Sequence, residues 1–154
     1  MSLRPLFAGD VEVLAPALAA MDPWRTLGFT AAGLAAYLGH EDAALTRMVV
    51  ERDGVAAAVV ALRRPWLRGP YIELLGVLPA AQGGGIGRQL VDWAAVQGGG
   101  NLWACVSAFN APARAFYARA GFAEVAVLPD LVAVGQDEVL LRRLPGPAPT
   151  PAAR

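Results

Sequence analysis

Leu75-Gly76-Val77-Leu78-Pro79-Ala80-Ala81-Gln82-Gly83-Gly84-Gly85-Ile86-Gly87-Arg88-Gln89-Leu90 is the stretch on which the fold turns. An apolar run breaks at Pro79, crosses three consecutive glycines and then takes up helical spacing, with Ile86, Leu90, Trp93, Ala94 and Gln97 on one side. The order is strand, glycine-rich turn, helix N-terminus. The first N–H groups of a helix have no intrahelical partner and carry partial positive charge, so glycines that leave the backbone bare make an anion site. A phosphate or diphosphate is the natural guest.

The spacing narrows the ligand. A P-loop ends in Gly-Lys-Ser or Gly-Lys-Thr, whereas here Ile86 is followed by Gly87-Arg88-Gln89. The dinucleotide fingerprint G-x-G-x-x-G also fails, because its last slot falls on Arg88 or Leu90. Gln-x-x-Gly-x-Gly is what fits, filled by Gln82, Gly85 and Gly87 after Val77-Leu78-Pro79.

A chain of 154 residues suits one domain with its own core. Thirteen basic residues balance thirteen acidic ones, so no global field draws nucleic acid or an anionic membrane. The 56% apolar content, rich in alanine, describes a compact domain and leaves a homodimer open. Cys105 is the only cysteine, which excludes an intramolecular disulfide, and its apolar surroundings read as those of a buried small hydrophobe. Met1-Ser2-Leu3-Arg4-Pro5 runs to Gly9-Asp10 without a signal-peptide pattern, and the longest apolar run, Val55 to Leu62, is far short of the ~20 residues of a spanning helix. The cytoplasm is the expected location.

Ser2 to Phe7 reads as a first strand, and a helix from Gly9-Asp10 to Ala20 carries Val11, Leu14, Leu18 and Met21 on one face. Asp22-Pro23-Trp24 breaks it, and Thr30 caps a second helix, Ala31 to Leu38. His40, beside Glu41 and Asp42, has no metal-ligand spacing and is assigned to a solvated loop, so no metal is expected. Leu45 to Arg52 and Val55 to Arg63 form a hairpin around Asp53-Gly54. The basic loop from Arg63 to Pro70 leads into a strand, Tyr71 to Leu78, on which alternation places Glu73, Leu75 and Val77 on one face. Glu73 is the only charge in that run and must be paired, protonated or open to a cleft. After the helix from Ile86 to Val96 come a strand, Asn101 to Ser107, and a helix capped by Asn110, with Ala113, Phe116, Tyr117 and Ala120 along one side. Strands Phe122 to Leu128 and Gln136 to Leu144 follow, then a Pro-rich tail, 145–154, expected to be flexible.

Asn110-Ala111-Pro112-Ala113-Arg114-Ala115-Phe116-Tyr117-Ala118-Arg119-Ala120-Gly121-Phe122 supplies a second motif, an asparagine followed by an Ala-Arg-x-Phe-Tyr helix and a Gly-Phe exit. Together with the glycine loop it resembles the GCN5-related N-acetyltransferase (GNAT) family over residues 3 to about 144. The resemblance implies one N-acetyltransferase domain, 1–144, of α/β (α+β) class. Its central sheet would be mixed, mostly antiparallel and six- to seven-stranded, with about four helices and two splayed central strands. It further implies acetyl-CoA as acyl-donor cosubstrate, with no metal. Gln82, Gly83, Gly84, Gly85, Ile86, Gly87 and Arg88 would cradle its diphosphate. The main chain of Leu75 and Val77 would hold the pantetheine arm, and Asn110 and Tyr117 would contact the coenzyme.

By the same resemblance the acetyl group passes to a primary amine by direct attack in a ternary complex. Tyr117 is the expected general acid, since a phenol of pKa ~10 is protonated at neutral pH and can donate to a departing thiolate. Glu73 is the expected base, and Trp24, Arg25 and Phe29 are expected on the acceptor side. A lysine-like ammonium costs about 4–5 kcal/mol to deprotonate at pH 7, an α-ammonium about 1 kcal/mol. The acceptor is left as a small-molecule amine or a peptide N-terminus. A non-catalytic acyl-CoA-binding sensor of the same fold is the alternative.

Overall fold

A computed structural model describes residues 2–146 of the chain. Its elements run β1 (Ser2–Pro5), α1 (Ala8–Ala19), α2 (Trp24–Leu27), α3 (Ala31–Gly39), β2 (Leu45–Arg52), β3 (Val55–Arg63), β4 (Tyr71–Val77), a 3-10 turn (Pro79–Ala81), α4 (Ile86–Ala95), β5 (Leu102–Ser107), α5 (Ala111–Arg119), β6 (Ala123–Pro129) and β7 (Asp137–Arg143). The expected tail falls almost entirely outside the described residues. The short helix α2 occupies a segment expected as loop, and it is closed by Gly28 in the left-handed region.

The strands form one seven-stranded sheet in the order β1-β2-β3-β4-β5-β7-β6. Every neighbouring pair is antiparallel except β4 and β5. Asp53 and Gly54 both take positive φ, 53° and 77°, the geometry a two-residue hairpin requires. The long crossover from β4 to β5 runs through α4, as a parallel pair demands.

Each face of the sheet has its own core. Ile86, Leu90, Val91 and Ala94 of α4, Tyr117 of α5 and Ala120 at its C-cap cover one face, meeting Val60, Leu62, Ile72, Leu102, Ala104 and Val106. Leu14 and Leu18 of α1 and Leu34 and Leu38 of α3 cover the other, against Val49, Val59, Ala61 and Leu74. The apolar spacing read from the sequence for α1, α4 and α5 is the spacing of these buried faces. Gly76 is where α1 and the sheet come closest, since a Cβ there would meet Leu18 and the Trp24 ring.

The N-terminal end is locked by charge. Arg4 of β1 grips the Asp10 carboxylate through Nη1 at 2.7 Å and Nη2 at 3.0 Å, and also donates to Glu51 of β2 at 2.6 Å. Asp10 in turn accepts the Phe7 N–H at 2.8 Å, satisfying one of the free donors at the start of α1. The Arg4 bonds hold the Asp10 carboxyl below its ordinary range; burial opposes and the Phe7 N–H adds to them. A depressed native pKa contributes stability that is present above the unfolded value of ~3.9 and is lost as pH falls through the native value. Asp10→Asn is therefore expected to lower stability by about 1–3 kcal/mol at pH 7, with the deficit starting to narrow below about pH 4 and closing only as pH falls through the lower native value. Urea denaturation at pH 7 and pH 3 checks both the sign and the narrowing.

Candidate active site

The centre of the sheet is incomplete. β4 and β5 pair only at Tyr71↔Trp103 and Ile72↔Ala104. Beyond that point β4 stays with β3 and β5 stays with β7, leaving facing edges with no sheet partner. A cleft of about 690 Å³ fills the gap. Glu73, Leu75, Val77, Cys105 and Ser107 line it from the two strands, and the glycine loop, α5, Trp24 and Phe29 complete its walls.

The expectation that Glu73, Leu75 and Val77 share a face is corrected by β4 itself. Ala61 pairs with Leu74 but Leu62 pairs with Ile72, so Glu73 is the extra residue of a β-bulge. Glu73 consequently turns with Leu74 towards α3, while Leu75 and Val77 turn towards the core beneath α4 and α5. There the Glu73 carboxylate is fully engaged. Arg63 donates from Nε to Oε1 at 2.9 Å and from Nη2 to Oε2 at 3.2 Å, and the Tyr37 hydroxyl donates to Oε2 at 2.7 Å. Arg63 also reaches Asp42 at 3.1 Å. Burial, followed by the bond to Glu73, raises the Tyr37 phenol far above its ordinary value.

The main chain of β4 is turned as a strand-like ligand would require. Leu78 gives its N–H to Ala57 of β3, so by alternation the polar groups of Val77 and Leu75 point to the gap. Gln82 folds back, donating from Nε2 to the Val77 carbonyl at 2.9 Å, which ties the loop to the strand end. Gly83 and Gly85 take φ of +83° and +84°, and no atom lies within 4 Å of where a Cβ would stand on either. The first α4 bond is the one from Gln89 to Gly85 at 3.1 Å, and the N–H groups from Gly83 through Arg88 donate to nothing among the described residues. That run of bare donors at a helix start fits a diphosphate.

Of the other expected residues, Asn110 caps α5 by accepting the Ala113 N–H at 3.3 Å and also lines the cleft. Arg88 lines it with its side chain engaged at Asp92 and the Arg119 carbonyl. Tyr117 is buried between Phe116 and Phe122 at the cleft wall, and its hydroxyl has no hydrogen-bond partner among the described residues. Burial, with Cys105 adding to it, raises the phenol above its ordinary value and keeps it protonated. Trp24 and Phe29 line the cleft; Arg25 does not, being 66% exposed and paired with Asp22. Cys105 proves to be a cleft-wall residue rather than a core one, its thiol raised chiefly by burial.

One lining residue was not legible as such. Glu138 of β7 is only 6% exposed, bonded to Ser107 at 3.1 Å through one oxygen and to nothing through the other. In the sequence it is an acid at the start of a strand, with no motif around it. Only its pairing opposite Ser107 carries it to the cleft.

A mixed sheet parted at its centre, with a bare anion cradle at one end of the gap, defines a site for an extended ligand that carries an anionic group. Residues 13–122 match the acetyltransferase (GNAT) family, and the chain belongs to that family of acyl-CoA-dependent enzymes. Streptothricin acetyltransferase of Streptomyces lavendulae is 38% identical over 90 residues, 55% of this chain; the chain spans about half, 48%, of that curated relative's length. A solved GNAT-family structure from Desulfovibrio desulfuricans superposes with a TM-score of 0.77 at 22% identity, covering 94% of this chain and 99% of that one. Nourseothricin acetyltransferase gives 0.62 at 28% identity over 69% and 68% of the two chains. An aminoglycoside 6'-N-acetyltransferase solved with coenzyme A gives 0.74 at 13% identity over 97% and 100%. No helix among the described residues is long and apolar enough to cross a membrane.

Gly85→Val is expected to weaken coenzyme A binding at least tenfold. A β-branched residue is strained at φ +84° and its side chain would stand in the open space before the bare N–H groups. Titration calorimetry of parent and variant measures the effect.

Proposed function

We propose that residues 1–144 form one N-acetyltransferase domain that moves an acetyl group from acetyl-CoA directly to an amine in a ternary complex. The observation that carries this reading is the run of unpartnered N–H groups from Gly83 to Arg88 opening onto a cleft that Tyr117 walls. When bound, acetyl-CoA supplies the thioester carbonyl and a thiol leaving group.

The chain's own residues do the rest. The main chain at Gly83, Gly84, Gly85, Ile86, Gly87 and Arg88 receives the diphosphate, and the free edges of Leu75 and Val77 take the place of a sheet ladder along the pantetheine arm. Asn110, fixed by its capping bond, stands beside that arm. Tyr117, held protonated by burial, donates to the departing sulfur. Glu73, its oxygens occupied by Arg63 and Tyr37, contributes a fixed negative charge that draws an ammonium into the cleft. This arrangement leaves it poorly placed to act as a free base. Trp24 and Phe29 form the apolar wall against which the acceptor rests, and Arg25 sits outside it.

Thiol release from acetyl-CoA with a panel of amines tests the reading. Polyamines, amino acids and N-terminal peptides belong on the panel, and the names of two relatives add streptothricin and nourseothricin. Tyr117→Phe is expected to lower kcat by about 10²–10⁴-fold while coenzyme A affinity stays within a few-fold. No release with any amine, together with unchanged coenzyme binding in Tyr117→Phe, would favour a non-catalytic acyl-CoA sensor instead.

A further inference from the structure

Acetyl transfer needs a group to take the acceptor's proton, and both oxygens of Glu73 are already bonded, to Arg63 and Tyr37. A second carboxylate stands on the other side of the parted sheet. Glu138 lines the same cleft and is 6% exposed. Its Oε1 accepts from Ser107 Oγ at 3.1 Å, whereas its Oε2 is buried with no partner among the described residues. A buried acceptor without a donor is costly, so the open Oε2 calls for a donor that arrives with a ligand.

The surroundings specify the kind of donor. β5 presents Ser107 and Cys105 to Glu138, β6 pairs with it through the uncharged Leu128, and Leu131 and Val132 close the cleft nearby. Across the gap β4 presents Glu73, already paired with an Arg63 that it shares with Asp42. No arginine, lysine or histidine among the described residues bonds to Glu138. Burial pushes the Glu138 carboxyl up from its ordinary value, with the Ser107 bond opposing. The complement of a buried carboxylate flanked by apolar side chains is a cation bearing N–H donors.

Resting on the acetyl-transfer reading, we propose that Glu138 is the catalytic base: its free oxygen receives the acceptor's ammonium and removes one proton from it. The nitrogen lone pair so exposed forms the C–N bond to the thioester carbonyl carbon as the C–S bond breaks. Tyr117 gives its proton to the sulfur and recovers one from the nitrogen as the amide forms. Glu138 returns its proton to water, so one ammonium and one thioester yield one amide, one thiol and one released proton. The acceptor class is thereby a cationic amine.

The experiment is kcat/KM against pH for the parent, Glu138→Gln, Glu138→Asp and Ser107→Ala, with amines of differing basicity at saturating acetyl-CoA. The parent is expected to gain activity with rising pH through an apparent pKa above the ~4.3 of an ordinary glutamate. Glu138→Gln is expected to lose at least 10²-fold in kcat and to lose that limb. Its deficit should shrink for weakly basic amines that arrive unprotonated. Glu138→Asp should recover part of the rate, and Ser107→Ala should move the limb to higher pH. Circular dichroism and coenzyme A calorimetry on each variant establish that fold and donor site persist; should Glu138→Gln fail to fold, Glu138→Asp and Ser107→Ala carry the test. An active parent whose Glu138→Gln variant keeps its rate and limb, or loses equally with every amine, overturns the base assignment alone. A parent that releases no thiol with any amine overturns the acetyl-transfer reading and the base with it.

Discussion

The hydrogen-bond ladder between β4 and β5 ends after Ile72↔Ala104, and the rest of the site depends on that interruption. Interior strands normally spend every N–H and C=O on a neighbour, because an unpaired main-chain group away from water is costly. Here the polar edge of Leu75 and the N–H of Val77 face the gap, the Val77 carbonyl being taken by Gln82, and a glycine loop carries the bare donors on into α4. The cores on either face, under α4 with α5 and under α1 with α3, hold the two strands apart where the ladder lapses. The open seam is thus a consequence of packing on both sides of the sheet.

Much of this was readable in one dimension. Strand, glycine loop and helix follow one another within a short stretch, and Gly83 and Gly85 adopt the backbone their residue type permits most easily. The Asp53-Gly54 hairpin, the Thr30 and Asn110 caps and the apolar spacing of α1, α4 and α5 are equally local signals. What escaped was decided by partners distant in sequence. The orientation of Glu73 depends on an extra residue relative to β3, which alternation within β4 cannot reveal. The burial of Glu138 depends on Ser107, 31 residues away. Arg25 is the exception, for it reads as a site residue beside Trp24, yet a local bond to Asp22 three residues away turns it outward.

Charge is distributed over the cleft with some economy. Arg63 is shared between Asp42 and Glu73, so one guanidinium stabilises two carboxylates and leaves little free positive charge facing an incoming ammonium. Tyr37, Tyr71 and Tyr117 are all held neutral, burial being the leading cause for each. The wall is thereby protonated at its phenols and anionic at its carboxylates, a polarity suited to a cation and poorly suited to a second anion beside the diphosphate.

The bulge at Glu73 is separable from the packing around it. Removing the supernumerary residue would restore strict alternation, with Ile72, Leu75 and Val77 still on the side of α4 and α5 and Leu74 and Gly76 still on the other. What would go is the carboxylate that Arg63 and Tyr37 hold at the cleft. A change of one residue in strand length thus adds or removes an acid at the edge of the site while sparing both cores.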